Sequence, residues 1–253
     1  MRHFFETYPQ GFIGLCAIIG LAINPLLSIL IHRLPMMMRR QSGLSLWQPR
    51  SHCPQCQHIL LAQDTIPLLS YFLLKGKCRY CSTLISQYYP LVELVSMFLS
   101  AALAWRFGPT WALIGALCLS WGLIVLTAID LTHLLLPDSV TLPLLWAGLA
   151  FNLFDLFTPL PNAVFGAMLG YLFLWSISHL FRLLTGKEGI GYGDFKLLAA
   201  VGAWLGYDKL PVMLVLSASV AILIRITLFR QKIHAYFAFG PYLCLAALIV
   251  LFW

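Results

Sequence analysis

Trp111-Ala112-Leu113-Ile114-Gly115-Ala116-Leu117-Cys118-Leu119-Ser120-Trp121-Gly122-Leu123-Ile124-Val125-Leu126-Thr127-Ala128-Ile129-Asp130 runs without a charge until it ends on a carboxylate. A helix across the hydrocarbon core of a bilayer takes about 20 such residues, so this stretch reads as a membrane span. An acid in such apolar surroundings is costly enough to count as a functional candidate. Outward from it, the 253-residue chain keeps the same character: 60% of residues are hydrophobic and 10% charged, against roughly 45 to 50% and 25% in soluble proteins. A water-soluble enzyme is excluded. Seven cysteines are too few for a small disulfide scaffold.

Further apolar runs lie at 11–31, 90–105, 140–157, 163–181, 195–205, 210–228 and 236–253, the one at 195–205 being short. The expected fold is an all-α polytopic membrane protein of about eight transmembrane helices. Its expected parts are a first transmembrane helix (1–31), a small zinc-ribbon-like loop module (32–89) and a membrane core (90–253). The first span is too long for a removable signal, and its basic flank (His32, Arg33, Arg39, Arg40) lies on the wrong side.

Orientation follows from Lys and Arg, which are held on the cytoplasmic side. With the first long loop inside, the cytoplasmic side receives Arg33, Arg39, Arg40, Arg50, Lys75, Lys77, Arg79, Arg182, Lys187, Lys196, Arg225, Arg230 and Lys232. Only Arg2, Arg106 and Lys209 fall outside. The net charge of +7 is therefore a membrane signature. It forms no continuous basic stripe, and nucleic acid is not an expected partner.

In that topology Asp130 ends the third span and Asp194 opens the sixth, both at the cytoplasmic boundary. Two carboxyls within a few ångströms do not both ionise easily, so one keeps its proton while the other stays anionic. The anion can take a proton from a water attacking a peptide carbonyl, and the acid can hydrogen-bond the developing oxyanion. Gly189, Gly191 and Gly193 precede Asp194 and would let an extended backbone pass close to it. The bland alternative is that Asp194 caps its own helix. Asp138 is expected to cap the fourth span, and Asp155, Asp208, Glu93 and Glu188 are read as structural or supporting.

Cys53-Pro54-Gln55-Cys56 and Cys78-Arg79-Tyr80-Cys81 are two CxxC pairs. Four thiolates on two short knuckles suit tetrahedral zinc. A loop of this size has too little core to fold unaided, so a metal would supply much of its folding free energy. A reducing compartment disfavours disulfides there. His52 and His58 flank the first pair as bystanders, and Cys16, Cys118 and Cys244 read as small buried residues.

These residues together resemble the bacterial type IV prepilin peptidases, membrane aspartyl proteases of the GxGD type. The resemblance rests on Ile129-Asp130-Leu131 with Leu135-Leu136-Pro137-Asp138, and on Gly191-Tyr192-Gly193-Asp194-Phe195-Lys196 within the longer stretch 186–206. It also rests on Ile66-Pro67-Leu68-Leu69-Ser70, the four cysteines and Tyr89-Pro90-Leu91-Val92-Glu93. It implies that Asp130 and Asp194 are the catalytic aspartates, with Gly191 and Gly193 in the active-site loop. They would cleave the leaders of type IV prepilins or type II secretion pseudopilins at the inner-membrane boundary. It further implies N-methylation of the new N-terminus with S-adenosylmethionine, an activity associated with the N-terminal part. At 24–28, where the family usually reads Gly-Ser, two apolar residues and Asn, this chain has Asn24-Pro25-Leu26-Leu27-Ser28. The proline is expected to kink the first span and to bear on methyl transfer, not on cleavage. Two other functions fit the bare residues: a proton-coupled transporter relaying protons through Asp130 and Asp194, and a zinc-stabilised scaffold without activity.

Overall fold

The computed structural model of the chain describes residues 9–39, 45–46, 52–53, 55–186, 191–228 and 238–253. Among the described residues the secondary structure is helical, with extended pairing limited to two isolated bridges. The chain divides into two compact units, Met1–Pro109 and Thr110–Trp253.

In the first unit α1 (Pro9–Ala22) and α2 (Asn24–Met38) join through Ile23 into one 30-residue apolar segment. Pro25 sits in the first turn of α2, where a missing N–H matters least. The Leu21 carbonyl would ordinarily accept from residue 25, and the Asn24 side-chain amide lies 3.3 Å from it instead. The same amide donates to the Gly20 carbonyl at 2.8 Å and to Ser96 Oγ at 2.6 Å. Ser96 belongs to α4 (Tyr88–Phe107). A Cβ on Gly20 would stand 2.5 Å from Ser100 Oγ and 2.7 Å from the Ser96 carbonyl, so α1 and α4 touch almost backbone to backbone. The departure at 24–28 thus includes a buried polar joint between helices, and the expected kink reduces to a break at Ile23 bridged by the Asn24 amide. Between α2 and α4 lie a 3-10 turn (Ala62–Thr65) and the five-residue helix α3 (Leu69–Leu73).

The second unit comprises α5 (Trp111–His133), α6 (Asp138–Asn152), α7 (Leu160–Thr185), α8 (Tyr192–Leu205), α9 (Leu210–Leu228) and α10 (Gly240–Leu251). α8 packs against α6, α7 and α10, and every residue from Leu197 to Leu205 is buried. Small residues make this possible: Gly166 and Gly170 of α7 lie against Gly202 and the Leu198 carbonyl of α8, leaving no room for a Cβ. Polar side chains then tie the ends. Trp204 Nε1 donates to the Leu144 carbonyl at 2.8 Å, and Asn152 Nδ2 donates to the Ala203 and Trp204 carbonyls, each at 2.9 Å.

Each of the eight apolar runs contains a helix among the described residues. Five helical segments are long and apolar enough to cross a membrane: Pro9–Met38, Tyr88–Phe107, Trp111–His133, Leu160–Thr185 and Tyr207–Thr227. The other three runs form α6, α8 and α10, of 15, 14 and 12 residues. At about 1.5 Å per residue these are shorter than a core of about 30 Å. Burial of α8 by its neighbours relieves it of matching the lipid. The fold is that of a multi-pass helical membrane protein.

Candidate active site and metal site

Asp130 lies in the last turn of α5, just before Leu134 ends the helix in a left-handed conformation (φ 55°), its N–H bonded to the Asp130 carbonyl at 3.0 Å. Asp194 lies in the first turn of α8, whose N-cap is Gly191. Residues 64 apart in sequence are brought into electrostatic contact, and both side chains are buried, at 5% and 9% exposure. The Asp194 carboxylate also engages the Gly191 backbone N–H, so it does cap its helix from inside the first turn. Capping and membership of the pair are not exclusive. Asp130 Oδ2 is buried and meets no donor among the described residues. A buried oxygen left so is costly, and the arrangement suits a carboxyl that holds a proton there or receives a water or substrate group.

Three residues that the sequence reading did not assign to the site belong to it geometrically. Gly240, the first residue of α10, comes so close that a Cβ there would lie 2.6 Å from Asp130 Oδ2, and its backbone N–H interacts with that carboxylate. Leu136 fills the space between two glycines: a Cβ on Gly193 would lie 2.8 Å from Leu136 Cβ, and one on Gly240 would lie 3.3 Å from Leu136 Cδ1. Cys244, fully buried on α10, senses both carboxylates and bonds Thr127. The readable signal was Gly240-Pro241 inside the last apolar run, where the pair opens a helix. Gly193 is occupied by this chain's own Leu136, whereas the nearest atom to a Cβ on Gly191 is Asp194 Oδ2 at 3.6 Å. Gly189 and Glu188 lie outside the described residues.

The other acids have partners. Asp138 does not cap α6, whose N-cap is Pro137; it pairs with Lys196 Nζ at 2.7 Å. Asp155 accepts the Leu160 N–H and Asp208 accepts from Asn162 Nδ2. Glu93 accepts the Leu68 N–H at 2.7 Å, holding that residue at φ 58°.

In the first unit the ligand atoms of Cys53, Cys56, Cys78 and Cys81 all lie within 4.8 Å of one another. The two knuckles repeat one backbone pattern. The Cys53 N–H donates to the His58 carbonyl and the Gln57 N–H to Cys53; the Cys78 N–H donates to Thr83 and the Ser82 N–H to Cys78. Gln57 and Ser82 both adopt positive φ, 58° and 59°. Each knuckle is flanked by a bridge, His52 to Ile59 and Lys77 to Leu84. His58 is not a fifth ligand in waiting: its ring lies against Tyr80, with centroids 3.6 Å apart. Hydrogen bonds from the Thr83 hydroxyl and backbone bring Cys81 down to about 6. Cys56 has a favourable bond from the His58 backbone, yet desolvation and the neighbouring sulfurs push it up to about 11. Four sulfurs this close do not all lose their protons without a cation between them, and the donor set fits a metal ion that takes tetrahedral thiolates.

The class defined so far is a multi-pass helical membrane protein with a buried carboxylate pair in one unit and a four-cysteine cluster able to hold a metal ion in the other. The comparisons make it specific. Residues 18–107 match the bacterial peptidase A24 N-terminal domain, and residues 117–226 match the type IV leader peptidase family. A prepilin leader peptidase/N-methyltransferase of Aeromonas hydrophila is 47% identical, covering 97% of this chain and 92% of its own length. Proteins of the same description from Aeromonas salmonicida (strain A449) and Pseudomonas aeruginosa are 46% and 43% identical, over 97% and 99% of this chain and 92% and 93% of theirs. No solved structure matches. The chain belongs to the type IV leader peptidase family. The transporter alternative gains no support from these relatives.

Proposed function

We propose that this chain is a membrane aspartyl endopeptidase that removes the leaders of type IV prepilins or type II secretion pseudopilins and then methylates the new N-terminus, with S-adenosylmethionine as methyl donor. The observation that supports it most is the pair of buried carboxylates, Asp130 and Asp194, in electrostatic contact within the unit that matches the leader peptidase family. In this reading the anionic member takes a proton from the attacking water and the protonated member hydrogen-bonds the carbonyl oxygen as it gains charge. Collapse of the tetrahedral intermediate breaks the C–N bond, and the leaving amine takes a proton from the pair. The unmet Asp130 Oδ2 is the place for the water or the oxyanion. Gly191 keeps the approach to Asp194 free of side chains, while Gly193 makes room for Leu136.

The four cysteines hold zinc, which ties the two knuckles into one folded module. The eight apolar segments thread the inner membrane, the short α6, α8 and α10 packed among longer neighbours and not each matching the full lipid thickness, with segment 1–31 as anchor, 32–89 as the module and 90–253 as the peptidase core. The module and both aspartates face the cytoplasm. Asp130→Asn and Asp194→Asn should each abolish cleavage of purified prepilin in detergent or liposomes, while retained cleavage in either variant overturns the assignment. Mass analysis after incubation with prepilin and S-adenosylmethionine should add one methyl to the mature product.

A further inference from the structure

Helix α3 carries Leu69, Phe72 and Leu73 on one face, at the i, i+3, i+4 spacing of an apolar stripe. That face is turned outward: the three residues are 53%, 69% and 73% exposed. Leu84, opposite Lys77 across its bridge, is exposed as well, at 76%. Scattered apolar residues on a surface are ordinary, but a stripe on a module this small is an interaction surface.

Two observations say what covers it. First, the residue just before α3 is fixed in depth, because the Leu68 N–H is bonded to Glu93 in α4. Glu93 is the sixth residue of that membrane-crossing helix, about 7.5 Å along its axis from Tyr88. α3 therefore starts where the chain enters lipid. Second, Lys75 and Lys77, both exposed, follow the stripe directly. The one acid between residues 52 and 87 is Asp64, and it is paired with Arg79 at 2.7 Å. Apolar side chains beside uncompensated lysines are what an anionic lipid surface attracts.

We propose that α3 with Lys75 and Lys77 is an interfacial anchor. Leu69, Phe72 and Leu73 insert among the headgroups of anionic phospholipids, the two ammonium groups meet their phosphates, and the four-cysteine module is held down on the leaflet. This goes beyond the peptidase reading and does not depend on it.

The test uses the full chain in vesicles of phosphatidylethanolamine and phosphatidylglycerol, with Phe72 replaced by the photoreactive p-benzoylphenylalanine. Illumination should yield a phospholipid adduct on the peptide containing position 72, whereas the same group at exposed Gln55 should yield none. Crosslinking to added prepilin in place of lipid, or no lipid adduct at all, overturns the proposal. Metal content identical to that of the unaltered chain guards against misfolding. Hydrogen exchange at 69–77 should accelerate at least about tenfold when phosphatidylcholine replaces the anionic lipid, and unchanged exchange overturns the proposal too.

Discussion

The four-cysteine site is assembled from two copies of one local backbone pattern 25 residues apart, each closed by its own hydrogen bonds. The carboxylate site has no local half: Asp130 ends one helix, Asp194 begins another, and Gly240 and Leu136 arrive from two further places in the chain. In the module the structure is short-range, and the four clustered sulfurs leave it to a metal ion to hold the two knuckles together in the proposed reading. In the second unit close packing of α8 against α6, α7 and α10 does that work, and the chemistry is a by-product of where two helix ends meet. A site of the first kind should fail when its ion is removed. One of the second kind should fail when a single methyl group intrudes.

The largest expected effect concerns the ion. Replacing Cys78 by Ser should abolish metal binding and make segment 52–87 sensitive to protease, while the thermal transition of the second unit stays in place; this is read by metal analysis and limited proteolysis. Next, Gly240→Ala puts a methyl group against Asp130 Oδ2, where a Cβ would lie 2.6 Å away. It should lower kcat for prepilin cleavage about hundredfold with little change in KM, and metal content should not move. Smaller again, Asn24→Ala strips Ser96 and the Leu21 carbonyl of a partner inside the first unit. It should cost about 1 to 3 kcal/mol of stability, measured by denaturation in detergent. At the bottom of the scale, Lys196→Ala removes a partly exposed ion pair with Asp138. It should change stability by less than about 1 kcal/mol, and cleavage rates should stay within a factor of two or three of the unaltered chain.

The same contrast explains what could be read from the sequence. CxxC spacing is local, so the clustering of the four cysteines was legible, though not the repeated knuckle that puts Gln57 and Ser82 at positive φ. The apolar runs anticipate the long helices, except that the first continues seven residues past the expected end at Ile31, to Met38. Asp130 and Asp194 were legible as a pair because each stands at the end of an apolar run, and the fold brings the two buried carboxylates together. Gly240 and Leu136 were not assigned to the site, since their part in it is a matter of tertiary proximity that no period in the chain encodes. Asp138 was read as a cap because its place after Pro137 suits one, and an ion pair with Lys196, 58 residues away, took it instead. The proline at 25 was legible as a disruption. That Asn24 would bridge the carbonyl it leaves loose depends on the neighbouring helix, and so on the fold.

Single-turnover cleavage of prepilin by Asp130→Asn, Asp194→Asn and the double variant puts the shared carboxylate pair to the most direct trial. If the two side chains work as one unit, each single change should remove as much rate as both together. Substantial cleavage in either single variant, or losses that simply multiply in the double, would contradict the account.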